Sequence, residues 1–439
     1  MYKLLLVLTI LSSSLLADDW SNWRGPTFNG AAKAKNLPIK FSPNKNVKWQ
    51  VNLKGAGAST PVISNNYTFL TAANLEKEEL LGICIDTKTG KTLWNKSIGS
   101  GYKPKDTQSK AQLDSRSNYA SPSAVTDGKH VAFFFGNGDL VCFDTAGSEK
   151  WRHNLQKEEG DFSFQWTFSS TPTLFKGKIY LPVLQRNEIV HGRGKVGNES
   201  YIICYDFTTG KKLWKHIRPS NAKKESLESF ATILPTKING EDHLVLAGGD
   251  VLTGHDPKTG KELWRWGTWN KNHREKWWRL VPSHCPGPDN TFVICAPKKA
   301  PVYAIQVAAD SSTKLLWKSE AKSKITSDVP TPLFFDNHFY ILSDLKRSLS
   351  KVNPKDGTVI WTVSTPGMSK YRSSPLGADG KIYLMNHGAE VIVIDAKSGK
   401  ILAENSMAPD QDAYARASIA CVNNQLFIRT ETALYCIGN

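Results

Sequence analysis

Four short stretches set an arginine beside an aromatic ring: Arg116-x-Asn118-Tyr119, Trp277-Trp278-Arg279, Tyr371-Arg372 and Tyr414-x-Arg416. A guanidinium offers a planar fork to carboxylate, sulfate or phosphate. An aromatic face beside it can stack on a ring or a sugar. Trp166 and Phe168, and separately Asp328, occupy comparable places along the chain. Together these residues could form a pocket for an anionic or ring-bearing ligand. The competing reading is that they plug a channel or pack loops. Other chemistry tests poorly. Gly90-Lys91-Thr92 ends like a phosphate loop, but Ile85 stands where that motif needs glycine, and no helix follows. "GRGKVG" at 192–197 leads into "NESYIICYD", a strand pattern, so the helix N-terminus that would hold a pyrophosphate is missing. There is no G-x-S-x-G and no H-E-x-x-H, and the 10 histidines show no ligand spacing. No catalytic residue and no metal site is assigned.

What positions these residues is a repeat. "DTKTGKTLW" (86–94) returns as "DTAGSEKW" (144–151), "DFTTGKKLW" (206–214), "DPKTGKELW" (256–264), "ADSSTKLLW" (309–317), "NPKDGTVIW" (353–361) and "DAKSGKILA" (395–403). Such a spacing signals a propeller or solenoid. Asp86, Asp206 and Asp256 start a turn by hydrogen-bonding the backbone ahead of them. Gly90, Gly210 and Gly260 supply a positive φ at no steric cost. A β-rich run then carries Trp94, Trp151, Trp214, Trp264, Trp317 or Trp361. Each unit is a hairpin preceded by two further short strands. The prediction is all-β: an eight-bladed β-propeller of four-stranded antiparallel blades over 46–439, with seven blades as the alternative. The stretch around Trp49 completes the last blade, so the ring closes without free edges. The tryptophans read as packing residues, worth about 2–3 kcal/mol each.

In this frame the residues before each inner strand converge on the channel mouth. The long loops (99–119, 156–170, 185–199, 216–230, 266–283 and 405–416) gather on that face, opposite the T-G-K turns. Cys84, Cys142, Cys204 and Cys436 occupy repeat-equivalent positions in different blades, which excludes mutual disulfides or a shared metal. Cys285 and Cys295 stand at a spacing that a hairpin could bridge.

"MYKLLLVLTILSSSLLADD" reads as a secretory signal peptide over 1–17, followed by an extension over 18–45. No later run is long and apolar enough to span a bilayer as a helix. The chain is expected to be periplasmic or secreted, and monomeric. Its net charge of +16 suits an acidic partner, a protein or an anionic glycan. No nucleic-acid module is present.

D-x-x-T-G-K-x-L-W, recurring in an exported all-β chain, resembles the PQQ-like (quinoprotein) repeat with its tryptophan-docking motif. "WSNWRGPTFNG" (20–30) is similar to the start of exported propellers of this group. The resemblance implies an eight-bladed propeller and two functional classes: PQQ-dependent dehydrogenases, which use calcium, and non-catalytic scaffolds of the BamB type. The chain has neither the adjacent Cys-Cys pair of many of the dehydrogenases nor the lipidated cysteine of BamB. A binding scaffold is the favoured expectation. A quinoprotein oxidoreductase acting on an alcohol or sugar is the alternative.

Overall fold

The computed structural model describes residues 19–439 apart from 75, 101–117, 268 and 409–413. Among the described residues thirty-two strands form eight four-stranded antiparallel sheets, arranged as the blades of a propeller. Blades 1 to 7 are continuous in sequence, over 62–100, 125–154, 173–217, 234–266, 285–318, 333–364 and 376–406. Blade 8 takes three strands from 420–437 and its outermost from Val47–Asn52, which closes the ring.

The repeat explains the local geometry. In blade 1, Asp86 Oδ1 accepts the Lys88 and Thr89 amides and the Thr89 hydroxyl. The Gly90 amide closes the turn on the Asp86 carbonyl at 2.9 Å. Gly90 has φ +74, and a Cβ there would lie 2.6 Å from the Trp49 ring. Glycine is thus needed both for the backbone conformation and to seat an indole from the neighbouring blade. Gly210 meets Trp151 and Gly260 meets Trp214 in the same way.

The indole N–H completes the seam. Trp49 donates to the Thr87 carbonyl, Trp94 to Thr145, Trp151 to Phe207, Trp317 to Pro354 and Trp361 to Lys397. Opposite four of the tryptophans stands a small thiol: Cys84 pairs with Trp94, Cys142 with Trp151, Cys204 with Trp214 and Cys436 with Trp49. All seven cysteines are buried. Cys285 pairs in register with Val293, not with Cys295. The apolar core is correspondingly divided into clusters, most of which span two adjacent blades.

Blade 4 departs from the pattern. Its Trp264 stands opposite Gly254, where an added Cβ would lie 2.1 Å from the indole nitrogen. The ring lies over the bare glycine and donates to His243 Nδ1 at 3.1 Å within its own blade. A cavity of about 630 Å³, lined by His243, Leu263, Ala309 and Ser311 among others, opens at this seam.

Candidate functional site

Inner strands line the central channel, and a serine or threonine two residues ahead of each of them ties blade to blade. The Thr60 amide donates to Ser123 Oγ and the Ser123 amide to Thr171 Oγ1. The chain of bonds resumes from Thr232 to Ser283, Thr331, Ser374 and Ser418, and returns to Thr60. The residues before the inner strands are thereby held in a rigid ring. No local motif marks these serines and threonines, although every copy carries one ahead of its inner strand.

Residues 19–32 lace the opposite end of the channel. Trp20 exchanges backbone hydrogen bonds with Ile63 of blade 1, and the Ser21 carbonyl accepts from Thr126 of blade 2. The Asn22 side chain pairs with the Leu174 backbone of blade 3. Arg24, buried, donates to the carbonyls of Pro332 and Pro375, ahead of the inner strands of blades 6 and 7. A Cβ on Gly30 would fall 2.2 Å from the Arg24 guanidinium, which accounts for Gly30 in the "WSNWRGPTFNG" stretch. Trp23 lines the channel above this lacing.

At the mouth lies a cavity of about 220 Å³. Arg279, Arg372 and Arg416 reach it from the approaches to three different blades, and Trp166, Phe230 and His387 add rings to its lining. The Arg279 guanidinium lies over the Trp166 ring at 5.6 Å, with Glu225 at 3.5 Å. Arg372 pairs with Asp344 at 3.1 Å. Arg416 lies over the Tyr414 ring at 4.4 Å and donates to its hydroxyl at 2.7 Å. Beneath the Trp166 loop, fully buried Glu228 accepts from Arg186 at 2.5 Å and from the Gln165 amide at 3.0 Å. Burial pushes its carboxyl up to about 7, against the lowering pull of Arg186.

The other residues singled out in the sequence lie as follows. Arg116 falls outside the described residues. Asn118 caps a turn, its amide donating to the Ala56 carbonyl and its oxygen accepting the Ala120 amide. Tyr119, Phe168 and Tyr371 are core side chains. Asp328 accepts the Lys298 amide, and its own amide donates to Asp344. Trp277 is 55% exposed, beneath the Arg186 guanidinium. Trp278 lines a different cavity. His387 and the Arg186–Glu228 pair were not anticipated. His387 sits in the turn between the second and third strands of blade 7, and such turns share the mouth face with the approach loops.

Eight four-stranded blades, seams built on D-x-x-T-G-K and tryptophan, and an arginine-rich channel mouth define a propeller of the PQQ-like repeat class. The chain belongs to the family described as outer membrane protein assembly factor BamB, which matches residues 39–231 and 247–439. No curated protein matches it in sequence. Among solved structures it is similar to a europium-containing methanol dehydrogenase, with a TM-score of 0.66 at 10% identity, covering 96% of this chain and 98% of that one. It is also similar to BamB from Moraxella catarrhalis, with a TM-score of 0.57 at 11% identity over 89% and 99% of the two chains. A quinohemoprotein alcohol dehydrogenase from Comamonas testosteroni gives a TM-score of 0.62 at 13% identity over 98% and 82%. At these identities the likeness is one of fold. Among the described residues no helix is long and apolar enough to cross a membrane.

Proposed function

We propose that this propeller is an exported, non-catalytic binding module that takes an anionic, ring-bearing ligand at the channel mouth. A signal peptide over residues 1–17 and a periplasmic or secreted location complete the reading, and the indole contacts serve as the docking device of the repeat. The observation that carries it is the convergence of Arg279, Arg372 and Arg416, with Trp166, on one cavity. Arg279 pairs with Glu225 and Arg372 with Asp344. A ligand carboxylate or sulfate would meet guanidinium forks held by a rigid hydroxyl ring, and its ring would meet the Trp166 indole. The chemistry fits an anionic glycan or an acidic segment of a partner protein.

The test is calorimetric titration with galacturonate. Arg416→Ala should weaken binding about tenfold, the usual worth of a hydrogen bond to a charged group. Arg372→Lys, which keeps a charge for Asp344 but loses the fork, should weaken it as well. Unchanged affinity in both variants would sink the reading and leave the arginines as channel packing.

A second reading, a PQQ-dependent oxidoreductase acting on an alcohol or sugar, draws on the dehydrogenase likeness and on the same three arginines, which suit the carboxylates of that quinone. Bound there, the quinone would accept two electrons from the substrate, while Arg279, Arg372 and Arg416 would hold its carboxylates and Trp166 its plane. Among the described residues no group of three or more His, Cys, Asp or Glu gathers as a cation site. Titration with PQQ and Ca²⁺, following tryptophan quenching, a quinone band and dye-linked oxidation, separates the two readings.

A further inference from the structure

Beside the mouth, the loop between blades 4 and 5 forms a second cavity of about 530 Å³, within the range of ligand sites. Trp269 and Trp278 supply aromatic surface, Lys271 supplies positive charge, and Arg274 pairs with Glu275 at 3.1 Å. The loop is built in advance of any ligand. Buried Asn270 donates to the Glu275 carbonyl at 2.7 Å and to Asp250 at 2.9 Å, and accepts the Glu275 amide at 2.9 Å. The Ser226 hydroxyl accepts the Trp278 amide and donates to the Glu275 carbonyl. Trp278 therefore stands on a fixed backbone.

Trp278 and Arg279 are consecutive, yet they line different cavities, this one and the mouth. Both cavities combine an indole with cationic side chains, three arginines at the mouth and Lys271 with Arg274 here. A ligand that satisfies both must repeat its own chemistry along its length. We infer that the ligand is an extended acidic oligosaccharide, one unit at the mouth and further units over the Trp269–Trp278 cavity. This rests on the mouth reading and names the ligand class for it. Sugar rings stack on indoles, and their acidic groups meet the cations. Glu275, whose carboxylate already pairs with Arg274, can accept from sugar hydroxyls.

The test compares galacturonate, hexagalacturonate, a neutral cellohexaose and an oligothymidylate by calorimetry. Wild type should bind hexagalacturonate about 100-fold more tightly than the monomer, since the second contact is then intramolecular. Trp278→Ala should bring the hexamer down to monomer affinity while leaving the monomer unchanged, and Trp278→Phe should retain the gain. Equal affinity for monomer and hexamer overturns the inference and leaves the mouth reading standing. A hexamer gain that Trp278→Ala does not touch, tighter binding of cellohexaose or oligothymidylate, or no sugar binding at all also overturns it. Galacturonate binding that ignores Arg416→Ala and Arg372→Lys instead strikes the mouth reading itself.

Discussion

On the turn face of the propeller, carboxylates are held by donors. Asp86, Asp206 and Asp395 each accept from a Thr or Ser three residues on, and those bonds hold their carboxyls below the usual range. On the mouth face, Glu228, Asp250 and Asp344 are fully buried as side chains, and burial raises all three above the usual range despite their cationic or amide partners. The first face uses charge to fix turns that repeat. The second buries charge at a cost to build a surface that does not repeat. Carboxylates perturbed by burial beside a cavity are candidate site residues.

The widest gap between the regions should be in stability. Trp151 is buried, seated on Gly210 and bonded to the Phe207 carbonyl, so Trp151→Ala should cost about 4 kcal/mol in urea unfolding. Trp214 sits on Gly260 in the same way, but its indole nitrogen is buried without a hydrogen-bond partner among the described residues. Trp214→Ala should therefore cost measurably less. Equal losses would show that packing alone secures the seams. Gly254→Ala comes next, at about 2–3 kcal/mol, because its Cβ would drive into the Trp264 indole. A neutral outcome there would mean that Trp264 can take the seam geometry of its counterparts.

This contrast also decides what the sequence discloses. A seam is written repeatedly, so Asp86, Gly90 and Trp94 explain themselves against Asp206, Gly210 and Trp214, and the blade count follows. The mouth is written once. Proximity to an inner strand identified Arg279, Arg372 and Arg416, but it could not separate them from Tyr119 and Tyr371, whose side chains turn into the core. One residue of offset along an extended segment reverses which way a side chain faces. Glu228 was invisible for another reason. Its partner Arg186 lies on a separate loop, and no spacing along the chain encodes their meeting.

Glu228 provides the finest test of the comparison. Its carboxyl sits near 7 in the folded chain, with burial the largest cause, Arg186 and the Gln165 amide opposing it, and Glu225 adding to it. In the unfolded chain it returns to an ordinary value of about 4.3. Between those values the folded state binds more protons than the unfolded state. Its contribution is therefore fully present below the unfolded value and is lost as pH rises through the folded one. Stability should fall by about 1–2 kcal/mol between pH 5.5 and pH 7, and Glu228→Gln should remove that slope. The turn-face aspartates run the other way, losing their contribution as pH falls through their depressed values. Asp86→Asn should therefore flatten only the acid limb of the same curve. If Glu228→Gln altered the acid limb instead, the Arg186 pair would govern the site, and the two faces would hold their carboxylates alike.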